Sequence, residues 1–568
     1  AYEGGDIING TLNFSEGGII GGELLNATLI LSGSTLQLKD TSFDFLPERW
    51  GIVEGVTTSD IALENNRILE TIMFLTKTLG VTTFKIDEID AYFEGSRITS
   101  TVTNANYYPH IEAVNIPSDF NLVMTDNTHL RIQPATSATE ELDNGAIFSI
   151  RDESNVTVTG GNLYGDRDVR YFSPNNDGNE GSHLFYIKAA VNITLDGIKF
   201  FDGSKGGLNI SSLGFTYQPD YKPTSNVRIL NCEFKNNRRM AVSLTDGRNV
   251  LFEGNSFIDT ALPSSHSTGG VVGYAVNIEA TRFRDDNNEI VEYEKVTDVV
   301  FRGNTERGSR GGSISVHIGQ NVIIEDNDLE TKVSYTYTNG TKIINNRFVG
   351  KGESYAIFAT GDGNSVYNNE IGGNDISNYS LGIITNSNDI NVHDNKISNC
   401  EIGIQISSTK NSKINNNIIS VTQKGISATN TSCEGIEIKG NEIFSDKFLM
   451  YFVQFNNKPE DIDNIVIVSD NIIDNNLKKV TINNVNGLHF SNNVINGGLE
   501  IGNTTNSVFS ENIIKPTDFD GIRLYENHSN VSILNNTIYD PTGAERFLCI
   551  NNKSNNPNSI TIDGNTCN

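Results

Sequence analysis

The chain has 568 residues, with 42 lysines and arginines against 70 aspartates and glutamates, a formal net charge of −28 at pH 7. Such an acidic chain lacks the clustered positive charge that nucleic acid or an anionic membrane surface requires. No stretch reaches the roughly 20 apolar residues of a membrane span, so nucleic-acid binding and membrane insertion are both excluded from the expected partners.

Ala1 opens the sequence, which fits either a removed signal peptide or the trimming of a longer protein. Residues 1–48 read as short strand turns, a strand-rich leading segment. Residues 49–100 read as a capping helix with entry strands: Ser59 or Asp60 caps a run carrying Ile68, Leu69, Ile72, Met73 and Leu75 on one face, and Gly80 stops it. Residues 101–568 read as one continuous solenoid. From about residue 225 a phrase recurs in which asparagine, one variable residue and an apolar residue follow a strand. It opens at Asn255, Asn327, Asn346, Asn369, Asn395, Asn417, Asn441, Asn471, Asn493, Asn512 and Asn536, mostly at intervals of 19 to 30 residues. That period suits one turn of three short strands, each too small to bury its own apolar face and so obliged to stack on its neighbours. Asparagine suits the bend because it tolerates left-handed backbone and because its amides can bond from turn to turn. The expected class is all-β: a single-stranded right-handed parallel β-helix with three-strand rungs and an N-terminal capping helix.

Five cysteines, Cys232, Cys400, Cys433, Cys549 and Cys567, lack metal-site spacing and are expected to be buried thiols, with a Cys549–Cys567 bridge as the alternative. Four segments interrupt the rung length: residues 165–182, 212–225, 260–274 and 282–296. Loops of that size between regular rungs are where sites are usually built. Asp285, Asp286 and Glu289 crowd one of them, an oxygen-rich group that can take calcium; no other cofactor is expected.

Several phrases resemble a known superfamily. Trp50-Gly51-Ile52-Val53-Glu54-Gly55 before the helix is one, and Gly165-Asp166-Arg167 with Glu180-Gly181-Ser182-His183 and Val191-Asn192-Ile193-Thr194 is another. A third is Asn237-Arg238-Arg239, followed by Asn277-Ile278-Glu279. Together they are similar to the pectate-lyase-like β-helix superfamily, which includes bacterial polysaccharide hydrolases and lyases and phage tailspikes. The family's usual Gly-Asp-Gly is here Lys205-Gly206-Gly207, so an aspartate suited to act as an acid is absent. The resemblance implies a polysaccharide partner and an extracellular or secreted location, with a monomer for a secreted enzyme and a homotrimer for a tailspike. It fixes no substrate.

Aligning the inward pairs Phe148/Ile150, Phe185/Ile187, Leu208/Ile210, Val242/Leu244, Val276/Ile278, Ile314/Val316 and Ile357/Ala359 gives an outward column of Arg151, Lys188, Ser211, Thr245, Glu279, His317 and Thr360, expected to face solvent. In this zone, between residues 151 and 310, lie 12 of the 19 arginines. They can hold an anionic sugar or neutralise nearby acids. Glu279 is the expected catalytic carboxylate, with Asp246 as its partner or as a turn residue and His317 as a base. Arg238, Arg239, Lys188, Tyr186, Arg151 and Tyr274 are expected to contact substrate, and Asp166, Arg167, Glu180 and His183 to brace the groove edge. Three functions compete. A glycoside hydrolase using two carboxylates on an anionic (uronate or sulfated) polysaccharide comes first. A lyase using His317, Arg239, Lys188 and Tyr274, and a fibre that only adheres, are the alternatives.

Overall fold

In the computed structural model the described residues are all but 1–8, 15, 34, 96–112, 138–144, 173–180, 288, 362–365, 457–464, 518 and 540–546, and of residues 475–478 the backbone alone is described. They fall into two units, Ala1–Ser315 and Val316–Asn568, and each is built from stacked rungs of parallel strands, the parallel β-helix architecture.

The first unit opens with two small parallel pairs, Gly10–Phe14 with Leu29–Gly33 and Gly18–Ile20 with Leu36–Leu38. The helix Ser59–Thr78 follows. Its N-cap is Thr58, whose hydroxyl accepts from the Ile61 amide at 3.4 Å, rather than the expected Ser59 or Asp60. Thr58 holds extended backbone while both later residues are already helical. Leu69, Ile72 and Met73 are buried. Two buried asparagines tie the helix to the strand beneath. Asn65 donates to Val53 and Tyr92 carbonyls at 3.0 Å, and Asn66 exchanges 2.9 Å bonds with the Glu94 backbone. Backbone groups that would otherwise be unpaired are satisfied there.

Three strand series then repeat through the first unit. One contains Phe148–Arg151, His183–Lys188, Gly206–Ser211, Met240–Leu244 and Tyr274–Ile278. The second runs from Ser154–Thr159 to Val296–Arg302, and the third from Asn162–Tyr164 to Thr305–Arg307. Stacked core rings mark the rungs: Phe200 on Phe234 at 4.5 Å, Phe234 on Phe257 at 5.1 Å and Phe252 on Phe301 at 4.5 Å. Each buried ring removes enough apolar surface from water to contribute about 1.5–3 kcal/mol.

The second unit carries an asparagine ladder. Asn327, Asn346, Asn374, Asn395, Asn417, Asn441, Asn471, Asn493, Asn512, Asn536 and Asn565 form the series, and from Asn346 onward each side-chain oxygen accepts both the backbone N–H and the side-chain N–H of the preceding asparagine. Both ends of the series show the pattern, at 3.0 and 2.9 Å for Asn327 to Asn346 and at 2.9 and 2.8 Å for Asn536 to Asn565. Asn374 stands where the sequence reading had Asn369. Asn369 instead accepts from Thr341 at 2.9 Å at another corner, because an Asn-x-apolar phrase also occurs there. The expected left-handed backbone is likewise displaced by one residue. The residue before each ladder asparagine carries the positive φ, as in Asp326, Asn345, Gly373, Asp394, Asn416, Gly440, Asp470, Asn492, Glu511, Asn535 and Gly564. The ladder asparagine itself must aim its amide inward.

A core stack of Val392, Ile414, Ile438, Val468, Phe490, Phe509 and Ile533 runs beside the ladder in unbroken register, and Ile371 is buried as expected. A rung absent from the sequence alignment, Val333–Tyr335, pairs with Ile357 and Ala359. Its Tyr335 is a buried aromatic where an aliphatic residue was sought. Cys549 and Cys567 form a disulfide, so the expectation of five free thiols holds only for Cys232, Cys400 and Cys433. The last rungs bring their Cα atoms to 6.1 Å, inside bridging range.

Candidate functional site

The first series of strands sets the site. Its register pairs Phe148 with Phe185, Phe185 with Leu208, Leu208 with Val242 and Val242 with Val276, and the second member of each inward pair follows suit. All of them are buried, as alternation demands. Two outward columns result. Ser149, Tyr186, Asn209, Ser243 and Asn277 form one. Arg151, Lys188 and Ser211 begin the other, and Thr245 and Glu279 continue it through 3.0 Å backbone bonds to Ile210 and Leu244.

The outward columns are not open to water along their length. Arg151, Lys188 and Ser211 are all buried, Arg151 close to Glu70 of the N-terminal helix and to Lys188. Loops from residues 212–225 and 282–296 are knitted by Glu294, whose oxygens accept from the hydroxyls of Thr281, Thr245 (2.9 Å) and Ser212 (3.4 Å). A hairpin of Arg282–Arg284 with Ile290–Glu292 crowns that wall. Arg238 does not line the cleft; it braces the loop that follows it, its guanidinium lying 3.8 Å from the Phe172 ring and donating to Ser267 Oγ at 2.6 Å.

Beside that wall, over the outward columns, lies a cleft of about 500 Å³. Lys188, Lys205, Arg239 and Arg282 bring cationic groups to it, Glu279 is the carboxylate among its described lining residues, and His183 and Tyr186 add rings. Asn209, Ser243, Thr245, Asn277 and Thr281 supply hydroxyls and amides. Glu279 accepts from Asn277 Nδ2 at 2.9 Å and stands 3.7 Å from the Arg282 guanidinium. Among the buried atoms that line it, His183 Nδ1 and Asn277 Oδ1 have no hydrogen-bond partner among the described residues. Such atoms are costly unless a ligand or water meets them.

Burial dominates the electrostatics. It brings the Lys188 ammonium down to about 7, reinforced by Arg151 and Lys205 and opposed by Glu294. The Lys188 Nζ lies 4.9 Å from the Tyr186 ring centroid. Burial, followed by the Lys205, Lys188 and Arg239 charges, holds His183 well below the usual histidine range, so its imidazole is neutral at pH 7.

Of the residues expected from sequence, Glu279, Lys188, Tyr186, Arg239 and His183 line the cleft. Asp246 is fully buried and is not among the lining residues. Its Oδ2 accepts from the Tyr221 hydroxyl at 2.6 Å and the Lys295 amide at 2.9 Å, and burial raises its carboxyl to about 6. Arg151 lies buried beside Lys188 in the adjoining rung. Tyr274 begins its strand, half-buried and outside the lining. Asp166 pairs with Arg170 at 3.2 Å and accepts from the Ala135 amide at 3.3 Å, while Arg167 donates to the Asn236 and Leu262 carbonyls, so both brace the loop. Glu180 lies outside the described residues. His317 belongs to the second unit, where it is half-buried. Asp285 closes its own turn, accepting from the Asn287 and Glu289 amides at 2.9 and 2.8 Å, and no group of three metal-ligating side chains occurs among the described residues.

Sequence reasoning missed Asn209, Ser243 and Asn277, although the same alternation that found Lys188 and Glu279 also places them outward. Lys205 carried no signal beyond its departure from a family phrase. Thr281 and Arg282 come to the cleft only because the insertion folds back.

No family model matches the chain. It is 25% identical over 330 residues to the uncharacterized protein YclG of Bacillus subtilis, covering 56% of this chain and 53% of that one. It is 22% identical over 306 residues to the SPbeta prophage-derived uncharacterized protein YorA of the same organism, covering 51% and 49%. The chain thus spans about half the length of the curated relatives it matches. Among solved structures it is similar to the tailspike of Escherichia coli bacteriophage HK620 in complex with pentasaccharide, with TM-score 0.36, 12% identity and coverage of 91% of this chain and 77% of that one. It is also similar to tailspike gp49 of Acinetobacter baumannii bacteriophage Fri1, a capsular polysaccharide depolymerase (0.36, 11%, 78% and 60%). A third similar structure is PfbA, a surface adhesin of Streptococcus pneumoniae (0.30, 12%, 87% and 89%).

Proposed function

We propose that the protein is an extracellular depolymerase that binds a uronate-bearing polysaccharide in the cleft and cuts it by β-elimination. The observation that carries this reading is the convergence of Lys188, Lys205, Arg239 and Arg282 on a cleft with a single described carboxylate, Glu279, in a chain of net charge −28. A uronate carboxylate seated against Arg239 and Lys205 is neutralised, which acidifies the proton on the adjoining ring carbon. Lys188, about half neutral at pH 7, removes that proton. The released electron pair forms the new carbon–carbon double bond and expels the glycosidic oxygen, and Tyr186 returns a proton to it. No water is consumed. The Cys549–Cys567 bridge supports an oxidising location.

Glu279 favours a second reading, hydrolysis, in which Asp246 is the other carboxylate. That pair requires Asp246 to reach the cleft from its buried site against Tyr221. One assay separates the chemistries: digestion of a panel of uronate polysaccharides, followed by near-ultraviolet absorbance and by reducing ends. β-Elimination yields both signals, and hydrolysis yields reducing ends alone. Lys188→Met is expected to lower kcat by about 100-fold or more, and Asp246→Asn to leave turnover near normal. Reducing ends without absorbance, together with loss of activity in Asp246→Asn, overturn the proposal.

A further inference from the structure

We infer that the second unit carries its own saccharide platform, separate from the cleft, built on Tyr451, Glu500 and Tyr525 and suited to a neutral pyranose. Consecutive strands place Ser427, Tyr451, Thr481, Glu500 and Arg523 in one outward column. Thr429, Val453, Asn483, Gly502 and Tyr525 form the next. The intervening Ala428, Phe452, Ile482, Ile501 and Leu524 are buried, so both columns point away from the core; Ser427, Thr481 and Gly502 are covered, and Tyr451, Glu500, Arg523 and Tyr525 are partly exposed.

Glu500 sits between two glycines of its own strand. A Cβ at Gly498 would strike the Phe519 ring and one at Gly502 the Tyr525 ring, so each ring lies against bare backbone. Lys479 pairs with Glu500, and Arg523 approaches it at 4.0 Å. Arg523 in turn stacks 3.8 Å from the Phe519 ring and donates to Asp520 at 2.8 Å. Lys424 lies 4.2 Å from the Tyr451 ring. The carboxylate is thereby oriented and neutralised while keeping acceptor capacity, since an ionised carboxylate has about four acceptor sites.

A pyranose presents an apolar C–H face and a rim of hydroxyls. Half-exposed tyrosine rings beside an oriented carboxylate match that pair of surfaces. Rungs about 4.8 Å apart also suit the length of one sugar residue. A protein partner fits less well, because no isoleucine or leucine is exposed on these two columns among the described residues. At Glu500 a uronate fits less well than a neutral sugar, because Lys479 and Arg523 are engaged by Glu500 and Asp520; Lys424, against the Tyr451 ring, is the cation an anionic sugar would have to use.

Affinity electrophoresis of the full chain in gels containing dextran, galactomannan or polygalacturonate tests the inference. At least one neutral polysaccharide should retard the parent protein. Tyr525→Ala should weaken that retardation at least 10-fold and Glu500→Gln several-fold, with Glu500→Gln melting as the parent does and any retardation by polygalacturonate unchanged. Failure of both neutral polysaccharides to retard the parent overturns the platform, as does parental retardation of both variants. Loss of polygalacturonate binding alone bears on the cleft and leaves the platform standing.

Discussion

Lys188 concentrates the chemistry at the scale of a single residue. Tyr186, His183, Arg151, Lys205 and Glu294 surround it, and burial outweighs the one opposing charge, Glu294, to bring its amine to about 7. The folded protein therefore prefers the neutral amine, whereas the unfolded chain keeps the proton up to an ordinary lysine value. Between those values the unfolded state binds more protons, so this group adds stability as pH rises from about 7 and costs most below it. His183 acts in the same direction at lower pH, since its folded form resists the proton that the unfolded form accepts near 6.5. The melting temperature of Lys188→Met relative to the parent should thus be highest at pH 6 and converge on the parent by pH 10. Under the β-elimination reading, kcat/KM should rise with pH and level off above about 7. A pH-independent difference in melting would show that Lys188 is not desolvated as described.

At the scale of the element, the corner of each rung in the second unit divides its work between neighbours. The first residue takes left-handed backbone and the second, asparagine, bonds to the next rung. Glu511 is unusual among the first residues, which are otherwise Gly, Asn or Asp, and its φ of 58° costs an ordinary L residue about 1–2 kcal/mol. Glu511→Asn should stabilise by about 1 kcal/mol, because asparagine relieves most of that cost. Asn512→Ala should destabilise by about 1–3 kcal/mol, since it strands the Asn493 backbone and side-chain donors, bonded at 3.0 and 3.1 Å to Asn512 Oδ1. Urea denaturation of the two variants checks the division of labour. Shifts of the same sign would contradict it.

At the scale of the whole molecule, stability accumulates from neighbour to neighbour as rungs stack, so rungs whose strands bury little are the weakest. The C-terminal strands Ile550–Ser554 and Thr566–Cys567 are largely exposed or half-buried, and the Cys549–Cys567 bridge closes the loop between them. Reduction should cost about 3 kcal/mol in that region by releasing loop entropy. Hydrogen exchange should accelerate first in residues 550–567, with the asparagine ladder around Asn417 unaffected. Uniform acceleration along the chain would show that the rungs melt as one cooperative block.

The sequence alone determined the parallel-rung architecture, the inward apolar pairs and the outward column holding Lys188 and Glu279, because period-2 alternation and the spaced asparagine phrase are local properties. It misplaced the ladder at Asn369 and passed over the Val333–Tyr335 rung, because the same short phrase suits two corners and a buried tyrosine breaks the aliphatic pattern. Tertiary structure decided which outward residues meet in a cleft. Burial of Asp246 against Tyr221 and Lys295 and the arrival of Arg282 depend on where the insertions fold, and the burial of Arg151 and the lowered proton affinity of Lys188 depend on neighbours brought up from elsewhere in the chain. Desolvation and through-space charge are set by neighbours distant in sequence, and no local pattern encodes them.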